Sequence, residues 1–195
     1  MNHRERALAA INHTEPDKVP VDLGATIVTT ITRTAYDNLR TYLDLPADKN
    51  VNISHRHMDT VYPMEDLLQS YQVDFRPVYL QGPWYFKTQE LDDDMFIDEY
   101  QLKWKKASYY YDVVGRPLYE AETPADVTRV MKWPNPYDPG RIQGVRERAL
   151  KLRQETDYLC VADIMCLGPF EGACFLRGYD KFLADLAMNP ALAEA

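Results

Sequence analysis

The opening segment of the chain combines a short helix pattern with two closely spaced prolines. Apolar and charged residues follow a helical spacing over residues 4–13, and Pro16 and Pro20 come next. Because proline disfavours helical backbone in the residue before it, the helix is predicted to end before Pro16. The apolar run at residues 19–23 is then predicted to be a buried strand, with Asp22 close to its carboxyl end. A lead helix followed directly by a buried strand is typical of the start of a barrel.

Helix and strand patterns then alternate along the chain. Further strands are predicted at residues 74–80 and 158–165, each preceded by a helix pattern. Thr32 is predicted to cap one of these helices, and Thr123 with Asp126 resembles a capping box at the start of another. Strands that are separated by helices favour βα units around a parallel sheet. The predicted fold class is therefore α/β.

Residues 81–119 interrupt this alternation. They are rich in aromatic and β-branched residues, with a glycine–proline turn at residues 114–117. The pattern predicts an antiparallel hairpin inserted in a loop between a strand and a helix. The acidic run at residues 92–94 is predicted to be a solvated loop rather than a metal site.

Composition argues against two classes of partner. The chain of 195 residues has a formal net charge of −8, and its longest basic cluster covers only residues 103–106. Nucleic-acid binding needs a larger basic face. No apolar run reaches the roughly 18 residues of a membrane span, and the polar first residues do not resemble a signal peptide. We therefore expect a cytoplasmic protein with a small-molecule substrate and neither a nucleic-acid nor a membrane partner.

The length of the chain limits which barrel it can form. A complete (β/α)₈ barrel needs roughly 250 residues, and this sequence of 195 residues offers few strand candidates. Residues 189–195 begin a helix and stop without a cap or a following strand. We therefore expect residues 1–195 to be the N-terminal part of a TIM barrel, an incomplete domain that includes the hairpin at residues 81–119. A small complete domain is the alternative.

Several segments, taken in order, resemble one enzyme superfamily. Besides the opening segment, they are the helix at 35–45, the helix and strand at 64–78, the acidic and aromatic residues at 98–104, the Trp-Pro-Asn-Pro run at 133–136, the Gly-Pro-Phe-Glu run at 168–171 and the Leu-Arg-Gly run at 176–178. Their order and spacing are similar to those of the uroporphyrinogen decarboxylase superfamily. This superfamily includes methylcobalamin:coenzyme M methyltransferases and related corrinoid methyltransferases. The resemblance implies a (β/α)₈ barrel enzyme.

Within the superfamily, the chain is more similar to the methyltransferase branch. True decarboxylases carry an Arg-x-x-Gly-Arg segment soon after the first strand, whereas residues 25–33 here contain one arginine. A pocket for many carboxylates needs several fixed guanidinium groups. The resemblance implies that the full-length enzyme transfers a methyl group from a methylated corrinoid protein to a thiol or a pterin, and that this part alone is inactive. The alternatives are uroporphyrinogen decarboxylase, which needs no cofactor, and a non-catalytic binding module derived from a barrel.

The resemblance also implies two cofactors for the methyltransferase. One is a zinc ion that holds a thiol acceptor as its thiolate, and the other is methylcobalamin carried by a partner protein. The zinc ligands of the family are a His-x-Cys pair and a distant cysteine, and this chain contains no His-x-Cys. The ligands are therefore expected outside this chain. We predict a loop or surface role for His55 and His57, and small buried side chains at Cys160, Cys166 and Cys174.

Three charged residues are candidates for substrate binding, because barrel active sites lie at the carboxyl ends of strands. They are Asp22, Arg76 and Asp163. Asp163 interrupts an apolar run, where an unpaired charge is costly, so it is predicted to pair with a cation or to face a polar pocket. A cationic partner is also predicted as one possibility for Asp22. Arg76 is predicted either to bind an anionic group of the substrate or to form a surface salt bridge. No catalytic residue is assigned.

Overall fold

The computed structural model describes residues 1–92, 94–163 and 168–195. The chain folds as two compact units, the first formed by Met1–Gln81 with Ile142–Met165 and the second by Gly82–Arg141 with Cys166–Ala195. The helices are α1 (His3–Ile11), α2 (Arg33–Tyr42), α3 (Glu65–Ser70), α4 (Pro124–Val130), α5 (Val145–Glu155), α6 (Pro169–Arg177), α7 (Tyr179–Met188) and α8 (Pro190–Ala193). The strands are β1 (Ile31–Thr32), β2 (Asn52–His55), β3 (Thr60–Tyr62), β4 (Phe75–Tyr79), β5 (Gln89–Asp92), β6 (Met95–Ile97), β7 (Lys103–Ala107), β8 (Tyr110–Gly115) and β9 (Leu159–Asp163). None of the helices in the described ranges is both long enough and apolar enough to cross a membrane.

A parallel pair of strands, β4 and β9, organises the first unit. The register aligns Phe75 with Leu159 and Tyr79 with Asp163. Helices α1 and α5 each pack against both strands, which gives the strand–helix–strand arrangement of an α/β unit. The predicted α/β class is therefore confirmed, and the strands predicted at 74–80 and 158–165 correspond to β4 and β9, although residues 164 and 165 lie outside the described ranges. Within those ranges the strands form three small sheets, none of which closes into a barrel.

The strand predicted at residues 19–23 is not formed. The carbonyl of Val21 accepts the Asp74 amide at 2.8 Å, but the amide of Val21 donates to the carboxylate of Asp74, also at 2.8 Å. Pro20 has no amide hydrogen, so the segment cannot continue a ladder of backbone bonds. Gly24 then turns the chain with a φ of 90°. The segment therefore runs beside the start of β4 without pairing with it as a strand.

The first unit also contains an antiparallel sheet that the sequence did not predict, in the order β1-β3-β2. Val61 of the central strand is completely buried in a core with Tyr36 and Leu67. Since side chains alternate between the two faces of a strand, Thr60 and Tyr62 lie on the face opposite Val61. This alternation separates an apolar face from a polar one.

Local sequence signals place two helices correctly. Thr32 caps α2 by accepting the Ala35 amide at 3.4 Å. Thr123 and Asp126 form the predicted capping box at the start of α4. The buried face of α2 carries Tyr36 and Arg40. The charged guanidinium of Arg40 can be buried because it forms a salt bridge with Asp66.

The second unit is built on a four-stranded antiparallel sheet in the order β5-β6-β7-β8. The antiparallel pairing predicted within residues 81–119 is therefore confirmed, and it extends to four strands instead of two. One face of this sheet packs against helical residues around a core that includes Phe96, Leu102, Trp104, Leu118, Val127, Leu176 and Leu192.

Two predictions fall partly outside the described residues. In the acidic run, Asp92 and Asp94 are exposed, and Asp92 ends β5 rather than lying in a loop. Asp93 lies outside the described ranges. Among the cysteines, Cys174 is buried and Cys160 is half-buried, while Cys166 also lies outside those ranges.

Candidate functional site

Asp163 lies at the carboxyl end of the parallel pair, as predicted. It is the last residue of β9 and is aligned with Tyr79, the last residue of β4. One of its carboxylate oxygens accepts the Ile27 amide at 2.7 Å. This hydrogen bond holds the turn that follows Gly24 beside the ends of the two strands.

Arg76 is held inside the protein. Its guanidinium donates to both carboxylate oxygens of Glu65, at 2.9 and 2.8 Å, and to the carbonyls of Val73 and Phe75. It also lies over the ring of Tyr158, 3.6 Å from the ring centroid. The residue is 3% exposed. These contacts favour a structural role, in which Arg76 fastens β4 to α3.

Asp22 has a local role in the structure. It is half-buried, and its carboxylate accepts the Ala25 amide at 3.0 Å. This bond stabilises the turn around Gly24. Of the three predicted residues, Asp163 is the one that the structure places among other titratable side chains at the strand ends.

Five side chains of the first unit gather at the carboxyl ends of β4 and β9, and we call them the carboxyl-end cluster: His55, His57, Tyr62, Tyr79 and Asp163. The imidazole rings of the two histidines are in edge-to-face contact, with centroids 3.9 Å apart. The two tyrosine rings are stacked, with centroids 4.3 Å apart. The charge of Asp163 acts on both His55 and Tyr62, which connects the two ring pairs.

The histidines of the cluster are uncharged at neutral pH. Burial lowers the pKa of His55, while the negative charge of Asp163 partly opposes this effect. Burial lowers the pKa of His57 to about 3, and repulsion from the His55 ring, once that ring is protonated in acid, acts in the same direction. His55 is only 7% exposed and closes β2, so the loop or surface role predicted for it is wrong. The physical reason is a bulge between Ile53 and His55, which turns the ring into the protein.

The tyrosines form a rigid wall of the cluster. Burial raises the pKa of Tyr62, so its phenol stays protonated at neutral pH. Arg148 lies over the ring of Tyr79, 4.9 Å from the centroid, and donates to the Tyr79 carbonyl at 2.6 Å. Asn52 donates to the Tyr79 hydroxyl at 3.1 Å. These contacts fix both rings.

A buried hydroxyl next to the cluster makes no hydrogen bond. Thr60 is 4% exposed and is aligned with His55 across the sheet, yet its Oγ1 has no partner in the structure. An unsatisfied buried hydroxyl costs about 1–3 kcal/mol. Polar groups left unsatisfied in this way occur at sites that bind water or a ligand.

The cluster combines groups that can exchange protons. It holds a carboxylate, two neutral imidazoles and two phenols around the same strand ends. The neutral imidazole of His55 can accept a proton, and the charge of Asp163 stabilises the imidazolium that results. The arrangement is suited to general acid–base chemistry. The sequence signal for the carboxyl-end cluster is the alternation along β3, where the polar Thr60 and Tyr62 flank the apolar Val61.

The described residues do not supply the zinc site that the resemblance implies. Across residues 1–92, 94–163 and 168–195, no three histidine, cysteine or acidic side chains are grouped to hold a metal ion. The two histidine rings contact each other, and one oxygen of Asp163 binds the Ile27 amide.

Comparison with known proteins gives no relative. No protein-family model matches the chain, and no match is found among curated proteins or solved structures.

Proposed function

We propose that the chain is the N-terminal part of a (β/α)₈ barrel enzyme related to the corrinoid methyltransferases of the uroporphyrinogen decarboxylase superfamily. The full-length enzyme would transfer a methyl group from a methylated corrinoid protein to a thiol or a pterin. The proposal includes a cytoplasmic location and zinc ligands outside this chain. The observation that carries it is the carboxyl-end cluster on the parallel pair β4–β9, because enzymes built on parallel strands bind substrates at that end.

The free edge of β9 supports the barrel part of the proposal. Strands of a parallel sheet are normally covered on both faces, and β9 is apolar along nearly its whole length. Ala162, the fourth of its five residues, is nevertheless exposed. Within the described residues β9 pairs with β4 alone. A further strand would pair with this free edge, and the helix connected to it would cover the exposed face.

The chemistry of the cluster fits the acceptor side of methyl transfer. A thiol or N–H acceptor loses its proton when it gains a methyl cation, and the corrinoid keeps the electron pair of the broken bond. His55, which is uncharged and lies within the field of Asp163, can receive that proton. Asp163 would then stabilise the imidazolium. The decarboxylase alternative is less well supported, since Arg76 is already bound to Glu65 and cannot serve a second carboxylate in this arrangement.

The test is an assay of the full-length gene product with methylcobalamin and either a thiol or a reduced pterin. Loss of the methylcobalamin absorption and appearance of the methylated acceptor would support the proposal, and a His55→Gln variant should transfer more slowly. Conversion of uroporphyrinogen to coproporphyrinogen would instead identify a decarboxylase. If the folded full-length protein shows neither activity, the result supports the non-catalytic binding module.

A further inference from the structure

A cleft of about 410 Å³ opens in the first unit, on the side of Tyr62 and Tyr79 that faces α3. Its walls come from the segment before β2, the end of β3, α3, β4 and α5. This volume lies within the range of about 300–1,000 Å³ that is usual for small-molecule sites. The polar side chains that line it are Asp48, Asn50, Asn52, Glu65 and Arg76.

The charges in this cleft leave one carboxylate uncompensated. Arg76 and Glu65 neutralise each other through two hydrogen bonds. The hydrogen bonds that the structure shows to Asp48 come from uncharged donors, namely the Tyr36 hydroxyl at 3.1 Å and the Asn50 amide at 2.9 Å. These donors hold the carboxylate in place without cancelling its charge. The cleft therefore has a net negative charge at neutral pH.

The other groups in the cleft suit the same kind of ligand. The stacked rings of Tyr62 and Tyr79 supply an aromatic surface. Asn52 uses its amide nitrogen to donate to the Tyr79 hydroxyl, which leaves its amide oxygen as an acceptor. A carboxylate, amide oxygens and aromatic rings all attract a positively charged nitrogen.

We propose that this cleft binds a small organic cation, an amine attached to an apolar or aromatic group, with its ammonium against Asp48. The ammonium pairs with the Asp48 carboxylate, and the apolar group lies along the tyrosine rings. An anionic ligand would be repelled by the same carboxylate. Cation binding in this cleft does not depend on methyl transfer. A full-length protein without methyltransferase activity could still bind the cation, and a protein that does not bind the cation could still transfer the methyl group.

The experiment compares three ligands that share one ring: benzylamine, benzyl alcohol and benzoate. Each is titrated into the 195-residue chain, and binding is followed by the amide chemical shifts of residues around the cleft. We expect saturable benzylamine binding with a dissociation constant on the order of 1 mM. Benzyl alcohol should bind at least about tenfold more weakly, and benzoate more weakly still. Equal affinities, a preference for benzoate, or no saturable benzylamine binding would overturn the proposal.

Three variants locate the bound ammonium. Asp48→Asn removes the charge with little change of shape and should weaken benzylamine binding about tenfold. Asp37→Asn, an exposed position on α2, removes an equal charge outside the cleft and should have no effect. Asn52→Asp adds a carboxylate to the cleft and should tighten binding, which keeps the test decisive even if the Asp48 variant does not fold. Equal weakening by the Asp48 and Asp37 variants, or weaker binding to the Asn52 variant, would contradict the assignment.

Discussion

His57, half-buried in the turn after β2, predicts a specific dependence of stability on pH. Burial lowers the pKa of His57 from an ordinary 6.5 to about 3 in the folded protein. The unfolded chain therefore binds a proton at this site more readily than the folded chain does. The stability that the neutral ring contributes is fully present above pH 6.5, and it is lost as the pH falls from 6.5 towards 3.

The size of this loss follows from the two pKa values. Lowering the pH from about 7 to about 5 protonates His57 in most unfolded molecules but in few folded ones. The free energy of unfolding should then fall by about 2 kcal/mol from this residue alone. His57→Gln removes the titrating group, so the variant should lose about 2 kcal/mol less than the wild type over the same interval.

Urea denaturation at a series of pH values, followed by circular dichroism, measures this difference directly. The comparison between variants cancels the contribution of other titrating groups. His13→Asn is the matched control, because His13 is exposed at the end of α1 and takes a positive φ of 56° that asparagine tolerates. The reasoning is refuted if His57→Gln loses as much stability as the wild type between these pH values.

Two further substitutions test other parts of the first unit. Asp74→Ala removes a fully buried carboxylate that binds the Arg6 guanidinium at 2.6 Å, lies 2.7 Å from Nδ1 of His3 and accepts the Val21 amide. Arg6 keeps its hydrogen bonds to Asp17, so losing the Asp74 contacts should cost about 2–3 kcal/mol in urea denaturation, and a loss below about 1 kcal/mol would contradict the role of Asp74. Thr60→Val replaces the unbonded hydroxyl by a methyl group of similar size, so stability should stay equal or rise by about 1–2 kcal/mol. A clear loss of stability in the same measurement would show that this hydroxyl is hydrogen-bonded in solution.

Signals that act within a few residues predicted the structure well. The cap at Thr32 and the capping box of Thr123 and Asp126 were recognised because all the partners lie within one helical turn. The nearly continuous apolar run of β9 predicts a strand, because a strand covered on both faces needs such a run. These features do not depend on the rest of the fold.

Contacts between distant residues decided what the sequence could not predict. The segment around Val21 has the composition of a strand, but its amide is taken by the carboxylate of Asp74. Arg76 looked available to a substrate, whereas Glu65 and the ring of Tyr158 enclose it. His55 meets the charge of Asp163 only after the chain has folded, so the cluster has no local signature.

Nuclear magnetic resonance can test directly whether His55 and Asp163 lie together at the ends of β4 and β9. The measurement is the titration of the His55 ring protons in the wild type and in an Asp163→Asn variant. Because the charge of Asp163 raises the pKa of His55 against the effect of burial, its removal should move the titration midpoint of His55 to lower pH. An unchanged midpoint in a folded variant would show that the two side chains do not share a site.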